Sequence, residues 1–352
     1  MLTERYAAAL TRMKKLFDQE AGPGCCLMVR QIAELGAESV PLNRWRFPED
    51  NLAYLKAKAE ALKRAWQARS MLDDDSLPTL SPYYGIAEHS AFIGGPVAFE
   101  TDTSYHQPIL DAADGWRQLA PDPDNSWLNM FREGYAYYRE QWSDDFFIKQ
   151  RGAYGPMDLA NMIRGNDLFY DFYDEPQAVH GLMDFCVAAN RAYLDLQTGL
   201  TPDYSGGIIC GFDIWMPRGS YGHLSEDASC LCSPEQYRQF GLERLRAQIE
   251  PYQAVLLHLH SLGRKNIPDF AGLDKVRVIQ LSSDPNQPTS LQVYREYQAE
   301  LHGKIVMLEV DQTDLAEAVE VLQDSRSVLF YQAKTLDEAQ QAVNLVRSRF
   351  CD

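Results

Sequence analysis

Residues 254–260 read A-V-L-L-H-L-H, and after an amphipathic interval residues 276–281 read V-R-V-I-Q-L. Short runs that are apolar nearly throughout suit strands buried on both faces, the condition of a parallel sheet. The pattern recurs at G-G-I-I-C-G (206–211), K-I-V-M-L-E (304–309) and S-V-L-F-Y (327–331). Between these runs lie helical stretches of roughly 12 to 18 residues. Their starts are marked: Ser233-Pro234-Glu235 sets an N-cap and a first-turn proline before Q-Y-R-Q-F-G-L, and Thr313 and Thr335 precede two further amphipathic runs. The last third of the chain is therefore predicted as repeated β-α units.

Upstream the pattern is weaker. Residues 3–19, 49–70 and 123–141 read as helices, and 25–30, 77–80 and 144–150 as short strands before a helical region over 157–198. That makes eight strands, the number a (β/α)8 TIM barrel needs. The expected architecture is a single domain over 1–352, with 1–22 and 49–70 as a helical extension around the barrel. A doubly wound open sheet with a helical cap is the competing arrangement.

Composition narrows the setting. Thirty-three Lys plus Arg against fifty Asp plus Glu give a formal charge of −17, which disfavours nucleic acid and anionic membranes as main partners, although a local basic pocket is compatible with it. The seven cysteines include no C-x-x-C, and the start M-L-T-E-R-Y shows no leader pattern, so reduced thiols in a cytoplasmic protein are expected. No apolar run approaches the roughly 20 residues that span a bilayer.

In a barrel, chemistry gathers at the C-terminal ends of the strands. Those ends carry Arg30, Tyr83, Gln150 with Arg151, Cys210 with Asp213, His258 with His260, Ser282 to Asp284, Glu309 with Asp311, and Gln332. Two residues apart on a strand, His258 and His260 point the same way and can converge on one ion or one substrate.

Several of these positions carry a resemblance. Phe212-Asp213-Ile214-Trp215 resembles the F-D-S-W segment of the uroporphyrinogen decarboxylase family, and Leu231-Cys232-Ser233-Pro234-Glu235 begins a stretch similar to its S-P-E helix start. Gly155-Pro156-Met157-Asp158-Leu159 resembles its G-P-x-[TD]-L segment. Asp74-Asp75-Ser76-Leu77-Pro78 with Tyr84-Gly85-Ile86 resembles a pattern of its methyltransferase-like branch. The resemblance implies a barrel with an N-terminal helical extension and one of two chemistries.

Decarboxylation of tetrapyrrole acetates fits less well. Arg30-Gln31 is what stands for an arginine-rich segment, and Pro82 falls where that chemistry places an aspartate. Corrinoid-linked methyl transfer, in which zinc activates a thiol, fits better. His258-Leu259-His260 stands at the place of that branch's H-x-C pair, and imidazole replaces thiolate acceptably on zinc. Tyr331-Gln332 stand where a distant cysteine is expected, so Glu309 is the expected third ligand, ahead of Cys210 and His223.

The resulting expectation is a methyltransferase with His258, His260 and Asp213 as catalytic residues, and with Arg30, Tyr83, Trp215 and His223 binding substrate. Zinc sits on His258, His260 and Glu309. The expected partners are a corrinoid protein carrying the methyl group, a small-molecule substrate and a second copy of the chain in a homodimer. Residues 219–227, G-S-Y-G-H-L-S-E-D, are expected as an active-site loop able to act as a lid. A metal-free lyase acting on a carboxylated substrate, and a non-catalytic corrinoid- or tetrapyrrole-binding module, are the alternatives.

Overall fold

The structure, a computed structural model, describes residues 2–350 except 19 and 37. Cys351 lies outside the described residues. The strands in chain order are β1 (Gly24–Ile32), β2 (Thr79–Leu80), β3 (Val97–Phe99), β4 (Ser104–His106), β5 (Phe147–Ile148), β6 (Ala153–Tyr154), β7 (Gly207–Ile209) and β8 (Trp215–Pro217). The regular part continues with β9 (Tyr221–Ser225), β10 (Val255–His260), β11 (Val276–Ser282), β12 (Ile305–Val310) and β13 (Arg326–Ala333).

Seven of these form one parallel sheet in the order β1-β13-β12-β11-β10-β9-β6. The last strand thus lies beside the first, the neighbour relation of a barrel. β2 and β5 form a separate parallel pair. Between β1 and this pair, contact runs partly through side chains: Asp75 accepts from the Leu27 amide at 2.8 Å and Asp74 from the Val29 amide at 2.7 Å. The fold is α/β and barrel-like, with a strand ladder continuous over seven strands.

The apolar runs explain the sheet. Val255, Leu256, Leu257 and Leu259 are buried, as are Ile305 to Leu308, so side chains of both parities leave water. Removing any one of these leucines should cost about 2–5 kcal/mol, the range for cavities in close-packed cores.

Helices cover the sheet. The N-terminal expectation of one helix resolves into α1 (Leu2–Arg5) and α2 (Ala7–Phe17), and α3 (Asn51–Ala68) and α4 (Ser126–Gln141) stand where expected. Residues 157–198 form three helices, α5 (Pro156–Arg164), α6 (Leu168–Asp174) and α7 (Pro176–Leu200), because Gly165 with φ +77° ends the first and Pro176 opens the third. Downstream lie α8 (Pro234–Tyr237), α9 (Glu243–Ile249), α10 (Ile267–Ala271), α11 (Ser290–Glu296), α12 (Leu315–Val321) and α13 (Leu336–Phe350). Ser233 caps α8, accepting from the Gln236 amide at 3.2 Å in a full capping box, and Thr335 accepts from the Glu338 amide at 3.1 Å. At α12 the amides of Thr313 and Asp314 go to Asp311 instead. No helix among the described residues is long and apolar enough to cross a membrane.

One part of the strand register differs from expectation. Residues 206–211 do not enter the sheet; β7 pairs antiparallel with β8 as a hairpin beside it. The sheet position belongs to β9, in the stretch expected as a lid. Tyr221, Gly222, Leu224 and Ser225 are buried and hydrogen-bonded in the ladder, so the segment is framework. Y-G-H-L-S escaped the strand pattern because its apolar run is interrupted by Gly222 and by a bulge at His223. The ladder steps from Gly222 to Leu224, leaving His223 unpaired with φ +80°.

Candidate metal centre and adjoining cavity

His258 and His260 end β10, and the chain turns at once into a 3-10 segment over Ser261–Asn266. Their Nε2 atoms meet a third donor that follows β9. Asp227 opens the 3-10 segment Asp227–Leu231, and its Oδ2 lies 3.9 Å from both Nε2 atoms. One donor atom from each residue lies within 4.8 Å of the others. Donors bound to one zinc ion at about 2.0–2.2 Å stand at most about 4.4 Å apart, and both 3.9 Å separations fall inside that limit.

Asp227 is held there by Asp158 of α5, which accepts from Ser225 Oγ and from the Ala228 amide, both at 2.7 Å. These bonds bracket Asp227 on either side. Burial pushes the Asp158 and Asp227 carboxyls upward together, and for Asp158 the neighbouring Asp227 charge adds to the effect. Asp227 Oδ1 is buried with no hydrogen-bond partner among the described residues. Such an orphan acceptor beside two imidazoles suits a cation.

The far sides of both rings are fixed. Asp284 receives Nδ1 of His260 at 2.8 Å and also accepts from Ser261 Oγ at 3.2 Å and the Leu262 amide at 2.9 Å. A carboxylate only accepts, so Nδ1 of His260 carries a proton, and in the neutral ring this leaves the lone pair on Nε2. His258 reaches the same state through a relay. Ser282 Oγ donates to Glu309 Oε1 at 2.8 Å, which uses its single proton, so Gln280 Nε2 must donate to Ser282 Oγ, at 3.0 Å. Gln280 Oε1 is then turned toward His258 and accepts from Nδ1. Burial first, then the neighbouring His260, lowers His258 to about 4, so it is neutral at physiological pH. Two imidazole nitrogens and a carboxylate oxygen match the donor types of three-ligand zinc sites. His260 and Asp227 are partly exposed, at 39% and 43% of their side chains, which leaves a side open to solvent.

Glu309 therefore corrects the expected ligand set. Its two oxygens are occupied by Ser282 Oγ and by the Ser283 amide at 2.9 Å, and it supports His258 from two residues away. Asp227, and not Glu309, joins the two histidines in the donor cluster. Reading 219–227 as a loop hid it, whereas Y-G-H-L-S as a strand would have placed E-D at a strand end.

Asp213 is locked in a different network. It receives Arg30 Nη1, Lys149 Nζ at 2.5 Å and Thr79 Oγ1 at 2.6 Å. Burial opposes its charge, but Lys149 and Arg30 prevail and hold the carboxyl well below its ordinary range. An acid so committed serves as a fixed counter-charge to Arg30 and Lys149 and lies outside the His-His-Asp cluster, apart from the two histidines with which it was expected to act. Lys149 and Thr79 were not singled out from the sequence.

Trp215 also departs from expectation. Its ring lies 6.0 Å from Phe17 and 5.2 Å from Lys14 Nζ of α2, and its Nε1 donates to the Tyr204 carbonyl at 2.8 Å. It packs beneath the N-terminal helix rather than walling the site. The aromatic that reaches the histidines is Phe212, 4.5 Å from the His223 ring and 5.6 Å from the His258 ring. His223, expected at the substrate, stands 5.6 Å from His258, and burial first, then the neighbouring His258 and His89 rings, push it well below the ordinary imidazole range. Both Asp213, at φ +67°, and His223 carry backbone conformations rare for side-chain-bearing residues. Cys210 is buried and outside the donor cluster. Tyr83 and Arg30 line a neighbouring cavity.

The fold and site together define an α/β barrel-like chain with a His-His-Asp donor cluster at the C-terminal ends of its strands. Across its whole length this chain is similar to a solved methyltransferase from Methanosarcina mazei: TM-score 0.63, 16% sequence identity, covering 99% of this chain and 98% of that one. A psychrophilic glycoside hydrolase family 10 endo-beta-1,4-xylanase is similar over 65% of this chain and 84% of its own, at 11% identity and a TM-score of 0.36. No protein-family model matches the chain, and no curated protein matches it.

Proposed function

We propose that this chain is a zinc-dependent methyltransferase related to the methyltransferase-like branch of the uroporphyrinogen decarboxylase family. In this reading it moves a methyl group from a corrinoid carried by a partner protein to a thiol. The convergence of His258 Nε2, His260 Nε2 and Asp227 Oδ2, with both rings fixed from behind, carries the proposal. The solved methyltransferase neighbour supports it through the shared fold.

His258, His260 and Asp227 would hold the metal, and the chemistry zinc supplies is a lowered thiol pKa near neutrality. The chain's own residues do the rest. Gln280 and Asp284 keep both Nε2 lone pairs available, and Phe212 and His223 close one side of the site to water. Arg30 and Tyr83 hold the substrate body in the adjoining cavity. The reaction balances as CH3–X plus RSH giving RS–CH3, with the thiol proton released and the electron pair of the broken methyl bond leaving with X.

The test is metal content of protein purified from zinc-replete medium, together with methyl transfer from free methylcobalamin to a small thiol. One zinc per chain, lost in His260→Ala along with turnover, is expected. Protein that takes up no zinc on reconstitution, or a His260→Ala variant with full turnover, would sink the proposal.

A further inference from the structure

Across from the histidines, the C-terminal ends of β1 and β2 face α3 over a cavity of about 470 Å³. Its lining includes apolar Leu62, Trp66 and Leu80 and brings together Arg30, Lys58, Arg69, Lys149 and Arg151, with Lys58, Leu62, Trp66 and Arg69 all supplied by α3 and its C-cap. Carboxylates answer part of this charge. Asp213 takes both Arg30 and Lys149, Asp74 takes Arg69 at 2.8 Å, and Glu88 takes Arg151 Nε at 2.6 Å. Lys58 is partly buried and hydrogen-bonds no described residue; Asp102 and Arg151 are the charges that act on it, with opposite signs. Five cations are thus met by three bonded carboxylates, in a chain of formal charge −17.

Gathering uncompensated positive charge in a half-enclosed space costs free energy that an anion would recover. We propose that this cavity binds the anionic group, a carboxylate or a phosphate, of a small substrate, with Lys58 as its free ammonium and Arg30 and Lys149 beside it. The apolar part of that substrate lies against Leu62, Trp66 and Leu80. Packed side chains connect the cavity wall to the histidines: the Arg30 guanidinium lies 4.5 Å over the Phe330 ring, Phe330 is 5.9 Å from Phe212, and Phe212 is 5.6 Å from His258. The helical extension, through Lys58 and Leu62 of α3, is thereby part of the binding site. The assignment of the reacting end rests on the methyl-transfer reading; binding of the anion does not.

Titration calorimetry of the full chain with inorganic phosphate and, separately, with succinate tests this, using zinc-loaded and chelator-treated protein. One equivalent of at least one anion should bind the wild type, weaken about tenfold or more in Lys58→Met, and stay within about threefold in Lys58→Arg. Lys56→Met, on the solvent face of the same helix, should also bind within about threefold of wild type. Phosphate binding alone assigns a phosphoryl group, and succinate binding alone a carboxylate. Absence of binding by both anions, or equal weakening in Lys56→Met, overturns the proposal. Anion binding in protein that takes up no zinc would sink the methyl-transfer reading and leave this one standing.

Discussion

Glu309 sets the tautomer of His258 without touching it. Its carboxylate accepts the Ser282 hydroxyl hydrogen bond, which forces Gln280 to donate to Ser282 and so to accept from His258 Nδ1. Glu309→Gln offers a donor where only an acceptor stood, allowing Ser282 and Gln280 to reverse. The expected result is a folded protein whose zinc affinity, measured by competition with a chelating dye, falls about 10–100-fold. Ser282→Ala should fall in the same range, and unchanged affinity in both would refute the relay.

Acid should weaken the metal-free fold through His258. Its folded-state pKa of about 4 lies below the ordinary value near 6.5, so the unfolded chain binds the proton first. The stability is fully present above about pH 6.5 and is lost as pH falls toward 4, by up to about 3 kcal/mol. Urea midpoints at pH 7 and pH 5 should diverge less in His258→Gln than in the wild type.

Asp213→Asn leaves Arg30 and Lys149 facing each other without a counter-charge. Breaking such a pair should cost about 3–5 kcal/mol at neutral pH, read from urea unfolding. Because the folded carboxyl is held below its ordinary range, the wild type keeps this contribution above about pH 4 and loses it in stronger acid. The gap between variant and wild type should therefore close at low pH.

Two glycines should respond oppositely to alanine. A Cβ on Gly222 would stand 2.0 Å from Cys210 Cβ, so Gly222→Ala must separate β9 from the β7–β8 hairpin and should destabilise by about 2 kcal/mol or more. Gly199, in the last turn of α7, has nothing within 4 Å of such an atom, and Gly199→Ala should stabilise by up to about 1 kcal/mol. Thermal unfolding of the two variants checks both signs.

Trp215→Phe should lower the unfolding midpoint through the lost bond to the Tyr204 carbonyl, while zinc uptake stays at the wild-type level. A changed zinc affinity would place Trp215 in the site after all.

The β-α repeat of the last third was legible because continuous apolar runs and helix caps are local signals. The histidine pair was legible for the same reason, since i and i+2 on one strand share a face. Asp227 was not, because the bulge at His223 breaks the alternation by which β9 would be read. Nor was Glu309's supporting place, which depends on where Ser282 spends its one proton. The cavity under α3 brings Lys58 and Arg69 of that helix and its C-cap together with Arg30, Lys149 and Arg151 from distant parts of the chain, and no spacing announces that meeting.

The bulge at His223 works as a parity switch. With one residue left out of the pairing, every side chain after it changes face relative to an unbulged strand, and Asp227 follows two residues beyond the end of β9. Two adjacent acids, Glu226 and Asp227, compete for the place beside the histidines, and the extra residue decides between them. Were His223 drawn into the pairing, Glu226 would fall at the register that Asp227 now holds. In this chain the choice of the carboxylate that meets the two imidazoles is made by counting rather than by chemistry.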